Sequence, residues 1–116
     1  MDHYHVWGSQ VIHVNGTYHM FASLYNASHD FFHNWLVDGF IVRATSDNPI
    51  GPFTYAATVL PQVAGRWDAN VMNPKLVQAK DGTFLLFYTG DANDQGEQLK
   101  LRGVLGAAAV CSGLPS

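Results

Sequence analysis

The chain has a single cysteine, Cys111, and a single glutamate, Glu97, among its 116 residues. One thiol excludes an internal disulfide framework and a cysteine-based zinc site, and it leaves the redox compartment open. Lysine and arginine together number six and the net charge is −3, so no basic stripe is available to grip a nucleic acid or an anionic membrane. No apolar run approaches the roughly 20 residues that a membrane span requires. The start, Met1-Asp2-His3-Tyr4-His5, lacks the positive and apolar regions of a signal peptide. These absences predict a soluble chain with no export signal and no nucleic-acid or membrane partner, whose ligand is neutral or weakly polar. Charged residues are also scarce, at 13% against 47% apolar and 13% aromatic, which rules out a disordered tail and suits one β-rich core.

What the chain does have is a repeat. Asn15-Gly16-Thr17-Tyr18-His19-Met20-Phe21-Ala22-Ser23 returns as Asp81-Gly82-Thr83-Phe84-Leu85-Leu86-Phe87-Tyr88-Thr89, with Gly16 and Gly82 66 residues apart. Each copy is a turn dipeptide followed by aromatic, β-branched and aliphatic residues, the pattern of the second arm of a tight hairpin. Strand runs are expected at 10–14, 17–24, 40–45 and 53–60, the last two separated by the turn formers Ser46 to Pro52. Four short antiparallel strands in series make one twisted sheet, the unit of a β-propeller. A second unit opens with runs at 74–79 and 83–89. The domain reading is therefore a blade-like region over 1–91, with one full blade at 9–60 and the start of another at 67–91. Residues 92–116 are left as a tail of uncertain structure, because Ala107-Ala108-Ala109 favours helix while Gly103, Gly106 and Gly113 oppose a long one.

The ordered series Trp7-Gly8-Ser9, Gly16-Thr17-Tyr18-His19-Met20-Phe21 and Ile41-Val42-Arg43-Ala44-Thr45-Ser46-Asp47-Asn48-Pro49-Ile50-Gly51-Pro52-Phe53 resembles the five-bladed propeller glycoside hydrolases. These are the arabinanase, β-xylosidase and arabinofuranosidase type of family 43 and its relatives. Trp67-Asp68, Asn73-Pro74 and Asp81 to Gly90 look like the opening of the next blade in the same enzymes. The resemblance covers roughly residues 5 to 91 and implies an all-β, incomplete propeller and the hydrolysis of glycosidic bonds in poly- or oligosaccharides. Such chemistry generally takes one carboxyl group as acid and a second as base or nucleophile, about 5 to 9.5 Å apart. In the resembled enzymes an Asp precedes Pro at the innermost strand of early blades, whereas here that position is Asn73 in the second blade and Trp7 or Gly8 in the first, depending on a one-residue gap. The acid of a later blade cannot be carried over to Glu97.

Asp68 is the preferred catalytic carboxylate, since it follows Trp67 and precedes the innermost strand of the second unit. The alternative is a loop Asp that caps a turn beside a core Trp. Trp7, His19, Trp67 and Asn73 are the expected substrate-binding residues, with Trp rings offering a face to sugar C–H groups. Trp7, Trp35 and Trp67 equally suit the gaps between blades, and Phe31-Phe32 suits contact with another subunit. His3 with His5 and His29 with His33 share a face at strand and helix spacing respectively, but neither pair has a third ligand at an obvious spacing. No metal and no cofactor is expected. One and a half blades cannot close a propeller, so the chain is expected to act as a homo-oligomer, with carbohydrate as its substrate. A non-catalytic carbohydrate-binding module and an inactive truncated glycosidase fragment are the alternatives.

Overall fold

The computed structural model of the chain describes residues 3–27, 38–66 and 68–90 in full, with residue 91 and residues 104–111 as backbone. Seven strands run in chain order: β1 (Tyr4–Val14), β2 (Thr17–Asn26), β3 (Phe40–Ser46), β4 (Thr54–Leu60), β5 (Asn70–Gln78), β6 (Phe84–Asp91) and β7 (Val104–Cys111). They form two antiparallel sheets, one ordered β1-β2-β3-β4 and the other β5-β6-β7. The fold is all-β, a four-stranded meander of the blade type followed by part of a second. Among the described residues no helix is long and apolar enough to cross a membrane.

The turns follow from their residues. Asn15 and Gly16 both take positive φ, 52° and 82°, in the two-residue link that pairs Val14 with Thr17. That geometry matches the twist of the strands it joins, and Asn-Gly adopts it with little strain. In the second hairpin Asp81 Oδ1 accepts the Thr83 amide at 2.9 Å and Gly82 has φ 89°. Between β3 and β4 Ser46 Oγ accepts the Asn48 amide at 3.0 Å, and Asn48 Oδ1 that of Ile50 at 3.1 Å. Side chains of this kind replace the backbone partners that a turn denies its amides.

Strands β1 and β5 begin earlier than the alternation of apolar residues predicts, at Tyr4 and Asn70. A bulge in each hides the pattern. Between the pairs Trp7↔Ser23 and Gln10↔Phe21, Gly8 and Ser9 oppose Ala22 alone, and between Met72↔Thr89 and Lys75↔Phe87, Asn73 and Pro74 oppose Tyr88 alone. The first residue of each bulge is left-handed, Gly8 at φ 58° and Asn73 at φ 54°, as this bulge type requires. The gap left open by the sequence is thereby resolved, for Gly8 and not Trp7 is the counterpart of Asn73. β7 lies within 92–116, where no strand alternation is visible, and pairs Gly90↔Val104 through Phe84↔Cys111 with β6.

The sheets meet face to face. Phe21, with Ile12 and Val14 beside it, packs on Leu76, Phe84 and Leu86, while Ile41 packs on Val71 and Tyr88. Gln10 clips the seam by accepting the Leu76 amide on Oε1 at 2.6 Å and donating from Nε2 to the Leu76 carbonyl at 3.2 Å. With Gly8 against Asn73 and Gln10 against Leu76, β1 and β5 run side by side in the same direction. Nearer the start of β5, the Gly39 amide donates to Asn70 Oδ1 and the Val71 amide to the Gly39 carbonyl at 3.1 Å. A Cβ on Gly39 would stand 2.6 Å from the Val71 carbonyl oxygen, so only glycine admits this close approach.

Candidate functional site

The two bulges lie beside each other on the seam between the sheets. A Cβ on Gly8 would come within 2.7 Å of Asn73 Oδ1, so glycine at this point lets the amide of Asn73 reach the neighbouring strand. Asn73 is held by its own main chain, whose amide donates to Ser23 Oγ at 2.8 Å. Trp7 immediately precedes Gly8 and is 59% exposed. Asn73 is exposed as well. Two of the residues expected to meet a sugar, Trp7 and Asn73, an indole and a carboxamide, therefore flank one accessible seam. Bulges re-aim side chains in this way and recur beside active sites.

Asp68 stands just before β5, buried except for 4% of its side chain. Arg66 grips it with both arms, Nε donating to Oδ1 at 2.8 Å and Nη2 to Oδ2 at 3.1 Å, and the Tyr88 hydroxyl donates to Oδ2 at 2.7 Å. Burial works against the charge on Asp68, yet the hydrogen bonds from Tyr88 and Arg66 and the charge of Arg66 together hold its carboxyl below its ordinary value. Tyr88 shows the reciprocal effect. Burial, the bond to Asp68 and the carboxylate charge push its phenol up to about 12. The carboxylate stays ionised and the phenol protonated through the neutral range. Such a group can act as a base, a nucleophile or a fixed counter-charge, but it has no proton to give a leaving oxygen.

His19 is fully buried on the face of β2 that meets the second sheet. Arg43 Nη1 lies 3.0 Å from its Nδ1, and because a guanidinium only donates, Nδ1 accepts and the neutral ring carries its proton on Nε2. Burial, and then the charge of Arg43, lower the affinity of the ring for a second proton. Nε2 has no hydrogen-bond partner among the described residues. His19 pairs with Ile12, beyond Gln10 on the hairpin side of the bulge, and so is not brought to Trp7 and Asn73. Trp67, Trp35, Phe31, Phe32, His29, His33 and Glu97 lie outside the described residues. Among the described residues no three His, Cys, Asp or Glu side chains converge on a common point.

Arg66, Tyr88, Ser23 and Gly39 are the residues of this region that sequence reading missed. Arg66 two positions before Asp68 was a visible signal, since alternate residues of an extended turn share a side. Tyr88 was not, because it reaches Asp68 only through the fold of β6 on β5. A groove of about 530 Å³, lined by Thr17, Thr45, Asp47, Asn48 and Thr54 among others, lies at the hairpin end of the first sheet. No aromatic residue lines it, and neither Trp7 nor Asn73 does.

No protein-family model matches the chain, and no curated protein does. Its fold is similar to that of several solved structures. One, a complex of BT0996 with RGII, gives a TM-score of 0.68 at 21% identity over 92% of this chain and 33% of its own. A second, described as a glycoside hydrolase, gives 0.66 at 21% identity over 94% of this chain and 33% of its own. A third, an endo-1,4-β-xylanase from Bacteroides thetaiotaomicron, gives 0.58 at 18% identity over 92% and 39%. The chain thus spans about one third of the length of the first two structures. What the three share with it is an arrangement of strands, so the chain has the fold of a portion of these structures.

Proposed function

We propose that this chain supplies two neighbouring blades of a carbohydrate-active propeller of the five-bladed type and that sugar binds at the bulged seam, where it is hydrolysed at a glycosidic bond. The observation that carries the reading is the alignment of the two bulges, which sets exposed Trp7 and Asn73 on either side of the junction between β1 and β5. A sugar ring stacks its C–H face on the indole while the carboxamide exchanges hydrogen bonds with its hydroxyls. Trp67, which precedes Asp68 in the sequence, is read as a further sugar-binding residue. Asp68, kept ionised by Tyr88 and Arg66, serves as base or nucleophile, and the acid comes from a further blade. That blade belongs to another copy of the chain, so the complete site is assembled in a homo-oligomer. The names of the structures with this fold, a glycoside hydrolase and an endo-1,4-β-xylanase, favour the same substrate class.

A non-catalytic sugar-binding module is the second reading. It is favoured by the engagement of both Asp68 oxygens, one by Arg66 and the other by Arg66 and Tyr88. Hydrolysis of aryl xylosides and arabinofuranosides by the wild type and Asp68→Asn separates the two. The leading reading expects turnover in the wild type and a loss of about 100-fold or more in the variant, the usual scale for a general base, with the circular dichroism of the fold retained. Unchanged turnover in the variant removes Asp68 from the chemistry. Absent turnover with retained binding of oligosaccharide assigns the chain to the module.

A further inference from the structure

Ser23 ties together the two residues that flank the seam. It is fully buried in β2, the strand held on both edges by β1 and β3. In the β1 and β2 ladder it is the direct partner of Trp7, and residues opposite each other in an antiparallel pair share a face with their Cβ atoms about 5 Å apart. From that face its Oγ accepts the main-chain amide of Asn73 on the second sheet at 2.8 Å. One buried hydroxyl therefore sets the indole on one side of the seam against the carboxamide on the other. Asn73 needs such a hold. It begins the bulge of β5, at the edge of its sheet, and has no opposite number of its own in β6. Its φ of 54° is left-handed, a conformation that a residue with a side chain keeps only where its surroundings impose it. Pro74 follows and, lacking an amide proton, offers no tie to the ladder in its place. On the other side Gly8 leaves the space into which Asn73 Oδ1 reaches, for a Cβ there would stand 2.7 Å from that oxygen.

We infer that Ser23 and Gly8 are positioning residues of the sugar site, which hold the Asn73 carboxamide at a fixed spacing from the Trp7 indole. Ser23 fixes the main chain of Asn73, and Gly8 admits its side chain. A binding group already held in its bound place loses less freedom when the ligand associates. The inference rests on the proposal that sugar binds at the bulged seam, and it adds that Ser23, being buried, acts through Asn73 and not by contact with the sugar.

Isothermal titration calorimetry with xylotriose and arabinotriose tests it in a double-mutant cycle of Ser23→Ala and Asn73→Gly, since glycine accepts the left-handed backbone and deletes the side chain. Ser23→Ala is expected to weaken binding about tenfold while Asn73 is present, the scale of a buried hydrogen-bonding group left without its partner. In the Asn73→Gly background the same change is expected to weaken it by less than about twofold. Equal losses in both backgrounds overturn the inference, because they assign Ser23 to the stability of the sheet alone, and so does an unchanged affinity in Ser23→Ala. Should the alanine variant fail to fold, Gly8→Ala runs the same cycle from the other side of the carboxamide, with its loss expected only in the chain that keeps Asn73. Trp7→Ala holds the outcomes apart. Binding lost in Trp7→Ala but unchanged in Ser23→Ala leaves the seam as the sugar site and removes the positioning role, whereas a wild type that binds neither sugar removes both.

Discussion

Hairpins β1–β2 and β5–β6 have the same pairing, the same bulge and a left-handed residue at its first position, Gly8 in one and Asn73 in the other, but they differ in what they bury. Leu76 and Leu86 are at most 4% exposed, while Val11, in the place of Leu76, is 41% exposed. All are apolar. Leu76 and Leu86 have the first sheet against them, whereas Val11 stands on the edge strand of a face whose central strands still bury Ala22, Leu24, Val42 and Ala44. Burial at these equivalent places thus follows position in the sheet and against the neighbouring sheet rather than residue type.

The contrast is sharpest when equivalent positions are truncated. Leu86→Ala opens a cavity at the centre of the seam and is expected to destabilise the chain by about 2–5 kcal/mol. Met20→Ala, at the equivalent half-buried place, is expected to cost under about 1 kcal/mol. Equal losses in urea melts of the dilute protein would erase the distinction between the two faces. Gly39→Ala follows, because the added Cβ meets the Val71 carbonyl oxygen and Asn70 Oδ1. A loss of about 1–3 kcal/mol is expected from such overpacking, and a neutral result would show that the start of β5 can retreat from Gly39.

The smallest effects are those of pH. The lowered carboxyl of Asp68 contributes stability that is present above the ordinary carboxylate value and lost as pH falls through the folded one. Asp68→Asn should flatten the acid side of the stability profile. Tyr88, raised from 10 to about 12, contributes stability that is present below 10 and lost as pH rises towards 12. Tyr88→Phe should flatten that alkaline side and leave the acid side with a smaller slope. A variant profile parallel to the wild type on both sides would mean that the hydrogen bond between the two groups has no energetic weight.

The turns and hairpins were legible because their residues act locally. Asn15-Gly16, Asp81-Gly82 and the run from Ser46 to Pro52 fix backbone angles or fill backbone hydrogen bonds whatever lies beyond them. The bulges were hidden for the opposite reason. An extra residue at Gly8-Ser9 or Asn73-Pro74 breaks the alternation by which a strand is recognised, so the early halves of β1 and β5 carried no periodic signal. β7 escaped because Gly106 and Ala107-Ala108-Ala109 have weak strand preference, and the ladder to β6 overrides it. In the candidate site, Trp7 and Asn73 were recognisable by residue type and place in the repeat. The ion pair and phenol around Asp68 join residues up to 20 positions apart through tertiary contact, and only the fold brings them together.

The most direct measurement is of the amide and indole resonances of the protein during titration with xylo- and arabino-oligosaccharides. The account predicts shifts concentrated at the Trp7 indole and the Asn73 side-chain amide. Shifts confined to Thr17, Thr45 and Thr54 around the groove, or none with any of these sugars, would contradict it.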